Sequence, residues 1–446
     1  MTEHRAGRRF KPAFTPPNNP GQQTALVEGM PWGPAVTAVM LCLPQAVQCS
    51  SVSADKFAVV ERKEGFDRAT TARRIENTPR AVLRAVTVTA AGKKTTQDSP
   101  YLLLELAAGP KTGSPFCYNP LTQKASWCNP YQLSVNLTAP LVTAQGETLS
   151  ALTLDPDVSF AVPCLDGVDL SGVFTGPQGH TLHYASYTPP NAARGKRPLV
   201  IWLHGAGEGG EDPAIVLLGN QVTALFGEAF QSAIGGAYVL APQTPTFWMQ
   251  YNAKGDWQDN PGVSSVYRRD LMELIRHYVA QHPQIDPDRI VLGGCSNGGY
   301  MTLDLVMHQP GYFAAAYPIC EAYLDAGIQD EELRAIAASG LPIWFVYAQN
   351  DPVVEPSTHE IPTIRRLASM GADLHTTVWP NVVDKTGRSQ QPDGSPYEYN
   401  GHFSWVYFFQ GLCKDDATGV DLWAWMARQV KEENTTSSSK TIAKNK

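Results

Sequence analysis

The chain has 446 residues, enough for two domains of ordinary size. Hydrophobic residues make up 43% of it and charged residues 17%, with a formal net charge of −7, which is typical of a folded globular protein. The sequence contains no long Lys/Arg run and no apolar stretch of about 18 residues, so we expect neither a nucleic-acid partner nor a membrane-spanning helix.

The N-terminal segment predicts no folded element. Residues 1–30 are rich in polar residues, Pro, Gly and Asn, which indicates a mobile arm. Its basic residues are not followed by an apolar stretch, so it does not resemble a secretory signal. We therefore expect a cytoplasmic protein, or a secreted one if a leader has been removed.

Residues 31–165 predict a small antiparallel β-sandwich. Short β-branched and aromatic runs, several of them alternating apolar and polar, are separated by turn residues without any long helical period. The runs are VTAVMLCL (36–43), DKFAVVER (55–62), RAVLRAVTVTA (80–90), YLLLELAA (101–108) and YQLSVNLT (131–138).

The eight cysteines predict mostly buried free thiols, because no CxxC pair or zinc-like spacing with histidine is present. Cys117 and Cys128 flank a turn-rich segment and could face each other across a hairpin. A disulfide between them is left open.

Residues 166–432 alternate between strand and helix. Buried strand patterns such as RPLVIWLHG and DRIVLGGCS are interleaved with helical patterns at 268–282, at 298–309 and in the final segment VDLWAWMARQVKEE. This alternation indicates a mostly parallel sheet with helices on both faces, the α/β class. Residues 433–446 are polar and predict a disordered tail.

The segment GCSNG, residues 294–298, predicts a catalytic nucleophile. It is a G-x-S-x-G pentapeptide that follows an apolar strand and opens an apolar helix, which is the strand–turn–helix setting of a nucleophile elbow. The two glycines leave room for a strained turn that presents the Ser296 hydroxyl above the sheet. The alternative, a Gly/Ser turn without chemistry, is disfavoured by the residues that follow.

A nucleophilic serine needs an acid and a base, which follow it along the chain in the order Asp/Glu, then His. Asp351 stands at the end of the apolar strand LPIWFVYAQND and is the predicted acid. Asn350 lacks the charge, and Glu355 lies further into the loop. His402 follows a glycine in EYNGHFSW and is the predicted base. For His359 and His375 an exposed or structural role is favoured.

Donors for the developing oxyanion are predicted on two backbone segments. One donor is the N–H of Asn297, directly after the nucleophile. The second comes from the glycine-rich loop after LVIWLH, where the N–H of Ala206 is favoured and that of Gly205 is the rival. His204 is expected to pin this loop, and Glu208 to fix it through an ion pair.

Aromatic residues in loops after a sheet strand are candidates for substrate binding, because ligands bind at the carboxyl ends of parallel strands. The candidates are Phe247, Trp248 and Trp257, with ordinary loop packing an equal alternative. Glu321 follows a strand and is expected to shape the pocket floor or to pair with a loop.

The motifs WLHGAGEGG, GCSNGGY, YAQNDPVV and NGHFSW, in this order, resemble the predicted-peptidase and esterase branch of the α/β-hydrolases. That branch is related to polyhydroxybutyrate-depolymerase-like and feruloyl-esterase-like enzymes. The resemblance covers about residues 172–432, and the segment around GMPWGPAVTAVMLCL resembles the start of the immunoglobulin-like domain that precedes the hydrolase in some members. One departure is Asn297, where many relatives have Met or Gln.

The resemblance implies an α/β-hydrolase fold preceded by an immunoglobulin-like β-sandwich. It also implies a serine esterase that needs no metal or cofactor and acts on a small-molecule or polymeric ester, with feruloyl-type and polyester substrates among the candidates. Two alternatives stay open: a serine peptidase with the same triad, and a non-catalytic protein that binds a polymer.

Overall fold

The computed structural model describes residues 10–11, 16–67, 69–249 and 265–431. Its first part is a β-sandwich. The strands of this part are β1 (Phe10–Lys11), β2 (Gln23–Met30), β3 (Gly33–Val47), β4 (Phe57–Phe66), β5 (Arg73–Arg80), β6 (Val82–Val88), β7 (Ser99–Leu106), β8 (Phe116–Asn119), β9 (Lys124–Trp127), β10 (Tyr131–Leu137), β11 (Leu141–Val142), β12 (Thr148–Leu149) and β13 (Val158–Ala161).

Two sheets form the sandwich, in the orders β1-β13-β2-β3-β7-β6 and β10-β4-β5. Val39 and Leu104 from the larger sheet and Val59 and Leu133 from the smaller one belong to the same buried apolar cluster. Alternating apolar positions place these side chains on the inner faces, which confirms the predicted sandwich. The expected antiparallel pairing is wrong for β13, which pairs parallel with both β1 and β2. The pairs β8–β9 and β11–β12 are separate two-stranded ribbons.

The predicted N-terminal arm is wrong from residue 23 onward, because Gln23–Met30 is the strand β2 inside the larger sheet. Its first two side chains are polar yet buried. The amide nitrogen of Gln23 donates to the carbonyls of Leu133, at 2.9 Å, and Asp155, so acceptors on distant chain segments satisfy this buried NH₂ group. The sequence pattern alone could not show those partners.

The second part is built on one eight-stranded sheet, in the order β14-β15-β17-β16-β18-β19-β20-β21. Its strands are β14 (Val168–Thr175), β15 (Thr181–Tyr187), β16 (Arg197–Leu203), β17 (Tyr238–Gln243), β18 (Ile285–Cys295), β19 (Ala315–Ile319), β20 (Ile343–Ala348) and β21 (Leu374–Trp379). The first three strands in this order pair antiparallel, and all later pairs are parallel. The expected domain boundary at residue 165 lies between β13 and β14.

Helices accompany this sheet: α1 (Pro213–Gly219), α2 (Glu228–Ile234), α3 (Arg268–Gln281), α4 (Asn297–His308), α5 (Asp330–Ser339), α6 (Glu360–Ser369), α7 (Trp405–Phe409) and α8 (Leu422–Met426). Two large apolar clusters contain side chains from the strands and from different helices, and strands β17, β19 and β20 are buried along their whole length. This is the predicted α/β layering. Among the described residues, no helix is both long and apolar enough to cross a membrane.

The last predicted helix is much shorter than the sequence pattern indicates. Helix α8 ends at Met426, after which Arg289 donates to the carbonyl of Ala427, and the N–H of Lys431 donates to the carbonyl of Asp288. These contacts hold the chain against the start of β18 and end the helix. The predicted tail at 433–446 lies outside the described residues.

The two domains share a continuous buried interface. The apolar cluster that fills the sandwich extends without a break to helix α1 and the second sheet. At the contact, a Cβ on Gly33 of β3 would lie 3.4 Å from the carbonyl of Gly219 at the end of α1. The domains therefore pack closely against each other.

Candidate active site

Ser296 occupies a strained turn between strand β18 and helix α4. Its backbone has φ of 55° and ψ of −117°, a conformation that residues other than glycine rarely adopt. A Cβ on Gly294 would lie 2.3 Å from the carbonyl oxygen of Leu203, and one on Gly298 would lie 1.9 Å from the same atom. Both glycines are therefore required by the close approach of β16, which is the physical basis of the G-x-S-x-G pattern.

The turn is held by backbone hydrogen bonds from neighbouring elements. The N–H of Ser296 donates to the carbonyl of Ile319 at 2.9 Å. The carbonyl of Ser296 accepts from the N–H groups of Tyr300, at 2.9 Å, and Ala322, at 3.2 Å. These bonds to α4 and to the segment after β19 offset the strain and fix the serine at the carboxyl edge of the sheet.

Asp351 and His402 form a buried hydrogen-bonded pair at the same edge of the sheet. Asp351 follows β20, which lies two strands from β18, and its Oδ2 is 2.7 Å from Nδ1 of His402. The other carboxylate oxygen accepts from the N–H groups of Val353 and Val354, at 2.8 and 2.9 Å. As a hydrogen-bond acceptor, the Asp351 carboxylate holds the proton of His402 on Nδ1, which leaves Nε2 with a lone pair.

The loop that carries His402 is fixed independently of the aspartate. The side chain of Asn400 accepts from the N–H of His402 at 2.9 Å, and the ring of Trp405 meets the imidazole edge to face at 5.5 Å. A Cβ on Gly401 would lie 2.3 Å from the side chain of Asn350. The glycine that precedes the histidine is thus needed for the loop to reach the Asp351 turn.

The loop after β16 is arranged by Glu208, which is almost fully buried. The N–H of Gly205 donates to Oε2 of Glu208 at 3.0 Å, and the amide of Gln243 donates to the carbonyl of Glu208 at 2.7 Å. The prediction of Gly205 as an oxyanion donor is therefore wrong, because its N–H is already bonded. Ala206 and Asn297 both line a cavity beside Ser296, where their N–H groups were expected to act.

Glu208 fixes the loop as expected, but as a buried acid without a cation. No ion pair of Glu208 exists within the described part of the chain. Burial raises the pKa of its carboxyl well above the ordinary value and so favours the neutral form.

His204 pins the same loop from the core. Its Nδ1 is 2.8 Å from the carbonyl of Gly205, and its Nε2 accepts from the N–H of Thr244 at 3.2 Å. Burial lowers the pKa of His204 to about 4, so the ring stays neutral and serves the structure of the loop.

The predicted aromatic contacts to substrate are wrong for the two residues that the structure describes. Phe247 is 5% exposed and Trp248 is fully buried. The indole N–H of Trp248 donates to the carbonyl of His204 at 3.1 Å, and its own backbone N–H donates to Oδ1 of Asn297 at 2.7 Å. Trp248 therefore supports the loop after β16 from beneath. Trp257 lies outside the described residues.

A cavity of about 280 Å³ opens beside the nucleophile. Its described walls are Ala206, Met249, Ser296, Asn297, Ala322, Val353, Val354 and His359. Sequence reasoning missed Met249, Val353, Val354 and His359, although the valines follow the predicted acid directly. Glu321 is fully buried behind Ala322, and its Oε2 accepts from the N–H of Tyr323 at 2.6 Å.

The N-terminal domain reaches the loop after β16 through the hairpin β8–β9. The N–H of Ala125 donates to the carbonyl of Gly207 at 2.6 Å, and the ammonium group of Lys124 donates to the carbonyl of Pro245. Trp127 Nε1 donates to Asp212 Oδ2, at 3.0 Å, at the start of α1. The same hairpin carries Cys117 in β8, with Cys128 just after β9, and both are buried free thiols.

Comparisons with known proteins agree with this architecture. Residues 22–150 match the family model described as the esterase Ig-like N-terminal domain, and residues 256–323 match the prolyl oligopeptidase family. No curated protein shows a significant sequence match to the chain.

Among solved structures, a thermostable esterase superposes with a TM-score of 0.67 at 24% identity, covering 87% of this chain and 96% of that one. An S-formylglutathione hydrolase from Agrobacterium tumefaciens is a more distant match, with a TM-score of 0.39 at 13% identity, covering 59% and 94%. A Pyrococcus horikoshii acylaminoacyl peptidase also scores 0.39, at 14% identity, covering 74% and 52%. The first superposition extends over both domains and confirms the fold. The chain is therefore a serine hydrolase with the α/β-hydrolase fold, preceded by an immunoglobulin-like domain.

Proposed function

We propose that the protein hydrolyses carboxylic esters through a triad of Ser296, His402 and Asp351 and an acyl-enzyme. The observation that carries this proposal is the combination of a strained serine with a buried Asp351–His402 pair at one sheet edge. Strain and buried charge both cost stability, and they persist where a reaction uses them. For the same reason we disfavour a non-catalytic role in binding a polymer.

In the proposed mechanism, Ser296 attacks the ester carbonyl while Nε2 of His402 takes its proton. Asp351 holds the imidazole in the tautomer that can accept this proton, and it stabilises the imidazolium that forms. The oxyanion binds to the N–H groups of Asn297 and Ala206. His402 then protonates the leaving alcohol, and water repeats the sequence on the acyl-enzyme.

The size of the cavity favours small acyl groups. At about 280 Å³ it lies just below the roughly 300–1,000 Å³ of pockets that hold drug-sized ligands. An ester substrate is further supported by the similarity of the first domain to that of esterases, and by the superposition of both domains on a protein that is itself a thermostable esterase. The match to the prolyl oligopeptidase family supports the second candidate, a serine peptidase.

A fluorophosphonate probe combined with a substrate panel tests the proposal. The panel should include p-nitrophenyl acetate, butyrate and octanoate, a feruloyl ester, a polyester film and peptide anilides. We expect labelling at Ser296 and the fastest turnover on acetate and butyrate, both abolished in Ser296→Ala. Faster cleavage of the anilides would establish the peptidase, and absence of labelling in the intact protein would refute both candidates.

A further inference from the structure

One polar side chain of the cavity beside Ser296 has no part in the proposed triad or oxyanion site. Among the described walls, Met249, Ala322, Val353 and Val354 are apolar residues. The carbonyl oxygen of the Asn297 side chain already accepts from the N–H of Trp248. The amide nitrogen of Asn297 has no hydrogen-bond partner among the described residues, but this side chain is only 2% exposed. His359 is the other polar side chain in this part of the wall.

The contacts of His359 fix its tautomer. Its Nδ1 is 3.0 Å from the backbone carbonyl of Glu355 and 3.0 Å from the hydroxyl of Thr358, which itself donates to the same carbonyl at 3.0 Å. A carbonyl can only accept, so Nδ1 carries the proton. The Nε2 atom of the neutral ring therefore offers a lone pair.

The ring is also well anchored. His359 directly precedes helix α6, whose first residue, Glu360, is fully buried, and the N–H of Ile361 donates to the carbonyl of Pro356 at 3.0 Å. An acceptor held in this way is pre-organised for a ligand, since little side-chain entropy remains to be lost on binding.

The position of the cavity indicates which part of an ester it would hold. Ser296 and both proposed oxyanion residues line it, whereas His402, which would protonate the leaving alcohol, is not among its described walls. The acyl group therefore fits here. The described walls include no carboxylate, so an ammonium group would lose hydration without a counter-charge, whereas a hydroxyl group can donate to a neutral imidazole.

We propose that His359 is a specificity-determining residue whose Nε2 accepts a hydrogen bond from a hydroxyl group on the acyl part of the substrate. The preferred substrates are then small hydroxyacyl esters. This inference rests on the proposed ester hydrolysis and adds the chemistry that selects the acyl group.

The test compares p-nitrophenyl 3-hydroxybutyrate with p-nitrophenyl 3-methylbutyrate, in which a methyl group replaces the hydroxyl at nearly equal volume. A 2-hydroxypropanoate and 2-methylpropanoate pair covers a hydroxyl one carbon nearer. For each pair, the kcat/KM of the hydroxy ester is divided by that of the methyl ester. This ratio for the wild type is then divided by the same ratio for His359→Leu, which cancels the intrinsic reactivity of the esters. One neutral hydrogen bond predicts a quotient of about five for at least one pair.

Two further variants separate the hydrogen bond from packing. The side-chain oxygen of His359→Gln can reach the position of Nε2 and should keep most of the preference. His359→Asn places its amide near the position of Nδ1 and should lose the preference, although it is equally polar. Tm and the rate of fluorophosphonate labelling confirm that each variant is folded.

The outcomes are distinct. A quotient near one for both pairs, or equal behaviour of the Gln and Asn variants, overturns the role of His359 while ester hydrolysis stands. If neither ester of either pair is hydrolysed by the wild-type enzyme, the proposed function fails first and the inference fails with it.

Discussion

Substitution of Glu208 should separate the structure of the oxyanion loop from the triad itself. Glu208→Ala removes the acceptor of the Gly205 N–H, and leaving a buried donor unpaired costs about 1–3 kcal/mol of stability. The loop would then rotate to find another acceptor and would carry Ala206 with it. Loss of one oxyanion donor lowers kcat by about 10²–10³-fold in other hydrolases. Because the Ala206 N–H is displaced and not deleted, we expect kcat to fall about 10–100-fold.

Glu208→Gln is the matched control. Its side-chain oxygen can accept the same bond, and a neutral amide resembles the protonated carboxyl that burial favours, so kcat should stay within a few-fold of wild type. A carboxyl whose pKa is raised in the folded state contributes its stability fully below the ordinary pKa and loses it as the pH rises. The Gln variant should therefore be at least as stable as wild type at pH 8.

The assay is steady-state hydrolysis of p-nitrophenyl butyrate, with Tm measured at pH 6 and pH 8. A loss in kcat with little change in KM would indicate a defect in transition-state binding. The reasoning is refuted if Glu208→Ala keeps wild-type kcat, or if the Ala and Gln variants lose activity equally, since the shared hydrogen bond would then have no role.

Three other perturbations test separate parts of the structure. Asp351→Asn should lower kcat by about 10⁴-fold, because an amide favours the wrong imidazole tautomer, whereas Glu355→Gln, whose side chain is exposed, should change kcat little. Glu360→Gln should raise Tm by a few degrees at pH 8 and by less at pH 5, because burial raises the pKa of this carboxyl and its ionisation at higher pH destabilises the fold. An equal gain in Tm over the wild type at both pH values would contradict this. Removal of residues 1–165 should lower Tm, because the apolar face of α1 becomes exposed. It should also slow fluorophosphonate labelling, because the carbonyl of Gly207 loses its hydrogen bond from the Ala125 N–H. Unchanged labelling would show that the hairpin β8–β9 has no influence on the loop after β16.

Much of the fold follows from local patterns. The strand run at 36–43 lies within β3, and the runs at 101–108 and 131–138 overlap β7 and β10, because alternating or continuous apolar residues specify which faces are buried. The segment Gln23–Met30 was missed because its leading polar side chains are buried through bonds to residues more than 100 positions away.

The sequence by itself determined the nucleophile turn, since Gly294 and Gly298 are demanded by contacts within one strand–turn–helix unit. It also singled out Asp351 and His402, because a carboxylate at a strand end and a histidine after a glycine are local features, and the structure brings these two side chains to 2.7 Å from each other.

Only the tertiary structure decided which neighbouring groups complete the site. Glu208 takes the N–H of Gly205, Trp248 turns inward beneath the loop, and His359 reaches the cavity. The physical reason is that each of these outcomes depends on where a side chain or N–H group points after distant strands and loops have packed, and residue type and periodicity carry no information about that direction.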